Sequence, residues 1–150
     1  MITLIVEDNE DKLDAIYSFV SAALGTSIDV AKSYHEAKIF LSKQKYDLVL
    51  LDMSIPIYGA KEGGSGSVLV YGGEDLLAWA KWRIRGLQVI VITQFDAFIS
   101  LDGVGKSSED LADRLYCGYP DMFRGLVNYR DTDNLWQSQL LKRVNELGER

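Results

Sequence analysis

Three short runs constrain this chain more than any other feature: Ile2–Val6, Asp47–Leu51 and Val89–Thr93. Each is rich in Val, Ile and Leu and is apolar at successive positions, so an extended chain would need cover on both faces. Strands of that kind belong inside a parallel sheet with helices on either side. Ile28–Ala31 and Gly125–Tyr129 are two weaker strand candidates. Helical patterns lie between them. Lys12–Leu24 places Leu13, Ile16, Tyr17, Val20 and Leu24 on one face. Ser33 stands where a cap is needed, with Glu36 three residues on, and turns Ala37, Phe40 and Leu41 inward. Glu74–Arg85 carries Leu76, Leu77, Ala80 and Ile84; a helix capped by Ser107 or Ser108 runs through Leu111, Leu115 and Tyr116; Asp133–Leu147 carries Leu135, Trp136, Leu140, Leu141 and Val144.

Strands alternating with helices imply right-handed βαβ crossovers. The pattern predicts an α/β fold: a doubly wound, five-stranded parallel sheet of flavodoxin-like type with about five helices. At 150 residues, 47% hydrophobic and 25% charged, the chain reads as one globular domain spanning 1–150. Ile57–Gly73, with its Gly63-Gly64-Ser65-Gly66-Ser67 stretch, and Gln94–Ser107 are long for connections, which usually run to about 4–6 residues. Both follow strand C-termini, the edge at which such sheets bind ligands.

Charge and composition exclude several classes. A formal net charge of -6 and a pI near 4.7 repel phosphate backbones, and no basic stripe offsets them, so nucleic acid is not an expected partner. No apolar run approaches the ~20 residues of a membrane span. Met1–Val6 reads as a strand leading into acids and not as a signal segment. The lone Cys117 cannot form an intramolecular disulfide, which fits a reducing cytoplasm. His35, the single histidine, has no partners of metal-ligand type in sequence and reads as a surface or half-buried side chain. Trp79, Trp82 and Trp136 fall on helical faces, where core packing is the default; the first two, three apart, also suit a partner face.

Acidic residues punctuate the strand ends. Glu7 and Asp8 follow the first strand, and Asp52 follows Asp47–Leu51. In an open parallel sheet these ends share one edge, so three carboxylates distant in sequence should meet in one crevice. Clustered anions raise one another's pKa unless a positive group sits among them. A hard divalent cation with oxygen ligands, Mg²⁺ above all, resolves the conflict. A carboxylate beside such an ion is also a nucleophile for a phosphoryl donor. Thr93 ends the next strand at the same edge, with a hydroxyl for a phosphoryl oxygen. Each acid taken alone could equally serve as a helix cap, as Asp8 could for the first helix; the joint pattern at successive strand ends is harder to obtain by chance.

These residues resemble the receiver domain of two-component response regulators. Ile5-Val6-Glu7-Asp8-Asn9 looks like that family's acidic first-strand motif. Tyr46–Pro56, containing Leu51-Asp52-Met53-Ser54-Ile55-Pro56, looks like its phospho-acceptor strand and following turn. Val89–Thr93 looks like its fourth strand with the switch hydroxyl, and Gly73-Glu74-Asp75-Leu76-Leu77 like the start of its third helix. The resemblance implies phosphorylation on Asp52. It implies Mg²⁺ held by Glu7, Asp8, Asp52 and the backbone carbonyl of Met53, and a switching role for Thr93. It further implies a histidine kinase or another phosphodonor as partner. Output would then pass through a downstream protein, with Ser108–Leu147 as the switching surface. The chain ends soon after the fifth helix, so no DNA-binding or enzymatic output domain is expected, and the protein is read as a stand-alone signalling module and not an enzyme.

The sequence departs from the family in three places. The fifth-strand stretch Gly125–Thr132 lacks the family's Lys and Pro. The loop after Pro56 is longer than usual, and the region between Thr93 and Gly125 is expanded. Arg130 and Lys106 are candidate substitute cations, although a guanidinium fork and an ammonium reach a phosphoryl oxygen differently. The departures motivate an alternative: a degenerate receiver serving as an unphosphorylated docking module. Asp102–Ser107 also hints at a phosphate-binding loop, but that pattern requires glycine where Ser100 stands, and a turn before a capped helix accounts for it. A phosphatase using Asp52 would need a second acid two residues on, where Ser54 stands.

Overall fold

The computed structural model describes residues 1–58, 72–94 and 108–147. Five strands form one sheet: β1 (Ile2–Val6), β2 (Ser27–Ala31), β3 (Leu48–Leu51), β4 (Val89–Thr93) and β5 (Phe123–Asn128). Their order is β2-β1-β3-β4-β5, and every neighbouring pair is parallel. The helices are α1 (Glu10–Leu24), α2 (Tyr34–Lys43), α3 (Gly72–Lys81), α4 (Ser108–Gly118) and α5 (Leu135–Leu147). This is the expected flavodoxin-like α/β architecture.

Alternating side chains of the sheet feed two separate cores. Leu4, Val6, Val49, Leu51, Val89 and Val91 pack with Ala37, Leu41, Leu76, Leu77, Leu111 and Leu115, from α2, α3 and α4. Ile5, Leu48, Leu50, Ile90, Ile92 and Val127 pack with Leu13, Ile16, Val20, Trp136 and Leu140, from α1 and α5. The double cover explains why β1, β3 and β4 are almost wholly apolar. It also leaves β2 and β5 at the sheet edges with mixed patterns, which made them the weaker sequence signals.

The boundaries differ from the sequence reading in instructive ways. α1 begins at Glu10, two residues before Lys12, because Asn9 caps it: its side chain accepts the Lys12 N–H at 3.0 Å. Ser33 caps α2 as expected, accepting the Glu36 N–H. β5 begins at Phe123, upstream of Gly125, which takes a φ of 138° under the Arg143 side chain. α3 runs Gly72–Lys81 in place of Glu74–Arg85, since two glycines open it and a turn at Arg83–Ile84 ends it before Gly86, at φ 77°. Tyr17 is exposed, Tyr116 is partly exposed with its ring edge-on against Phe123, and Leu135 is 64% exposed at the start of α5. Trp136 is buried, Trp79 half-buried and Trp82 82% exposed. The long glycine-rich stretch, the Lys106 segment and Ser107 lie outside the described residues.

Candidate functional site

The strand order reverses at β1. The connection through α1 leads to β2 on one side of it, and the next, through α2, leads to β3 on the other. A crevice opens at such a switch point, beyond the C-terminal ends of the strands. Val6 pairs in register with Leu51, so the residues that follow them, Glu7 and Asp52, stand level across the gap. The backbone fixes both: the Glu7 N–H donates to the Ala31 carbonyl and the Asp52 N–H to the Val6 carbonyl, at 3.0 and 3.1 Å.

Glu7, Asp8 and Asp52 each offer a carboxylate oxygen within 4.8 Å of the others. Glu7 and Asp52 are buried, while Asp8 lies on the exposed rim. Thr93, buried at the end of β4, donates its hydroxyl to Asp52 Oδ1 at 2.9 Å. The four side chains singled out from strand ends thus come together. The Met53 carbonyl accepts the Gly73 N–H at 3.0 Å, so one of its lone pairs is already engaged.

A fifth group was missed in the sequence. Lys12, in the first turn of α1, is buried with its Nζ 2.6 Å from Glu7 Oε1 and 3.3 Å from Asp52 Oδ1. The same nitrogen donates to the Ile92 carbonyl at 2.9 Å. Helical spacing held the clue: Lys12, Ile16 and Val20 form one i, i+4, i+8 row, and all three are buried. The row continues the core stripe up to the sheet edge, where a lysine meets the acids. Arg130, by contrast, is exposed beyond β5, beside Asp131, Asn134 and Trp136 in a shallow depression.

Electrostatics follow from this packing. Burial, and then the charge of Asp52, push the Glu7 carboxyl up from 4.5 to about 7; Lys12 works against both. Glu7 Oε2 also accepts the N–H groups of Asp8 and Asn9, each at 3.1 Å. Asp8 is raised by burial and by Asp52. Three carboxylates and one ammonium leave two negative charges when all are ionised. That count and the all-oxygen donor set fit one hard divalent cation.

Known proteins agree with this picture. The Detocs response regulatory protein DtcB of Enterobacter cloacae (strain JD6301) is 29% identical over 149 residues, 96% of this chain and 98% of that protein. The protein of the same name from Vibrio alginolyticus is 30% identical over 96 residues, 61% of this chain and 64% of that one. No family model matches the chain. Among solved structures, the receiver domain of Francisella response regulator 1452 superposes with a TM-score of 0.66 at 19% identity, covering 99% of this chain and 97% of that one. A CheY-like receiver domain protein from Methanospirillum hungatei JF-1 gives 0.63 at 19% identity, covering 97% and 90%. At such identities the structural likeness speaks for the fold. Fold, acidic crevice and relatives together make this chain similar to the response-regulator receiver domains of the CheY-like class. In sequence it is similar, over nearly its whole length, to the DtcB response regulator.

Proposed function

We propose that the chain accepts a phosphoryl group on Asp52, beside a divalent cation held by Glu7, Asp8 and Asp52, and signals through protein–protein contacts. The observation that carries this reading is the Glu7–Asp8–Asp52 cluster, with the Thr93 hydroxyl on Asp52 Oδ1, in the crevice of the sheet. The Met53 carbonyl has one lone pair left for the same ion. When bound, Mg²⁺ supplies charge neutralisation around the transferring group. This chain's residues do the rest: Asp52 is the nucleophile, and Thr93 orients it and then donates to a phosphoryl oxygen, which gives the switch its local cue. The phosphodonor is a histidine kinase or a small acyl phosphate, and the readout is a downstream protein that contacts the Ser108–Leu147 region. The chain 1–150 acts as a single signalling domain in the cytoplasm, not as an enzyme with a separate substrate; no described helix is long and apolar enough to cross a membrane. The docking-only alternative is not favoured, because the acids and the hydroxyl are assembled.

Incubation with Mg²⁺ and acetyl phosphate, followed by intact mass, tests the reading. Wild type should gain one phosphoryl group in a metal-dependent manner. Equal labelling of Asp52→Asn, or none of wild type, contradicts it.

A further inference from the structure

The ammonium of Lys12 is costly where it sits. A lysine near a helix end ordinarily runs its stem along the surface and leaves its charge in water, whereas a buried charge costs several kcal/mol unless paired and hydrogen-bonded. Lys12 instead turns inward. Its Nζ faces three acceptor atoms: it donates to the Ile92 carbonyl and stands 2.6 Å from Glu7 Oε1 and 3.3 Å from Asp52 Oδ1 as an ion pair with each. Those acceptors lie at the ends of β1, β3 and β4. The lysine therefore touches the side chain proposed to react, at the oxygen that also receives the Thr93 hydroxyl.

We propose that Lys12 is the catalytic cation for phosphoryl transfer to Asp52, a role for which Arg130 and Lys106 are then not needed. The proposal rests on Asp52 being the acceptor. In the resting site the ammonium holds Oδ1 of the nucleophile. An Asp52 carboxylate oxygen then forms a bond to phosphorus of an acyl phosphate. The bond from phosphorus to the acyl oxygen breaks, and the leaving carboxylate departs with its electron pair. No proton is consumed, and Lys12 stays charged throughout. Its positive charge stabilises the negative charge gathered on the transferred group, in a site shielded from water. The Asn9 cap and the packing of Leu13, Ile16 and Val20 set the base from which it reaches, so its position is largely determined before the reaction.

The test uses the full chain at saturating Mg²⁺ and acetyl phosphate, comparing wild type with Lys12→Met and Lys12→Gln by intact-mass time course. Labelling of both variants should slow by at least about thirtyfold, in line with loss of one charge-stabilising donor. A second readout needs no neutral variant: ¹⁵N NMR of the lysine ammonium groups in wild type, with Lys12→Arg to assign the signal. A solvent-protected Lys12 ammonium should be visible and should shift when beryllofluoride and Mg²⁺ are added. A folded neutral variant labelled within twofold of wild type, or a Lys12 signal unmoved by beryllofluoride, overturns the proposal. If neither neutral variant folds, the wild-type NMR result decides. Wild type that takes no phosphoryl group refutes the Asp52 reading and this proposal with it; fast labelling of wild type and variants alike refutes the role of Lys12 alone.

Discussion

Glu7 and Lys12 carry opposing electrostatic demands, and their balance is measurable. With the Glu7 carboxyl raised from 4.5 to about 7, the folded chain holds a proton that the unfolded chain releases. Between those pH values the native state binds more protons, so stability falls as pH rises from about 4.5 to about 7 and stays lower above. In the presence of a chelator, urea unfolding of Glu7→Gln should therefore improve relative to wild type by about 2–3 kcal/mol on going from about pH 4 to about pH 8. A pH-independent difference would show that Glu7 is ionised throughout. Thr93→Val keeps the shape of a buried side chain but deletes its hydrogen bond to Asp52 Oδ1. It should cost about 1.5–3 kcal/mol in denaturant unfolding, the range for a bond to a charged group. The acids and Thr93 were legible in the sequence because strand ends in a parallel sheet share an edge. Lys12 was not, because a lysine in a first helical turn usually faces water; only its row with Ile16 and Val20 places it inside.

Short elements show where local pattern ran out. The central strands were readable because burial on both faces makes them apolar at nearly every position, Thr3 and Thr93 apart. The edge strands were blurred, and β5 was further disguised by Gly125. The helical pattern placed the start of α3 two residues late because glycine is a poor helix former, yet two of them open that helix for a steric reason. A Cβ on Gly73 would lie 2.5 Å from the Asp52 carbonyl oxygen and 2.8 Å from Met53 Cα, both backbone atoms that cannot step aside cheaply. A Cβ on Gly72 would likewise lie 2.3 Å from the Ile55 carbonyl oxygen. Gly73→Ala should thus destabilise the chain by about 1–3 kcal/mol in thermal or urea unfolding, against the small gain that alanine gives an open helix. An alanine variant as stable as wild type would show that α3 can withdraw from the loop after Asp52. The cap of α1 is a milder case: Asn9→Ala should cost about 1 kcal/mol, and because α1 carries Lys12 it should also loosen the hold on Asp52.

Taken together, the sheet brings β1, β3 and β4 to one crevice, and the two cores hold that edge steady from both sides. Sequence reading anticipated the topology, since βαβ handedness and strand burial leave few alternatives. Which cation faces Asp52 depends on the rotation of α1 about its own axis, recorded in the sequence only by the Lys12, Ile16, Val20 row. With all its groups ionised the crevice carries a surplus of two negative charges, so the proposed Mg²⁺ should stabilise the folded chain. Added Mg²⁺ should raise the melting temperature in a concentration-dependent manner, and Asp52→Asn should weaken that effect. The central claim is narrower, and chemistry can address it residue by residue. After treatment with Mg²⁺ and acetyl phosphate, borohydride reduction converts an aspartyl phosphate to homoserine, and peptide mapping then locates it. The account predicts homoserine at position 52, dependent on Mg²⁺. Homoserine at another aspartate, or none while the phosphodonor is consumed, would contradict it.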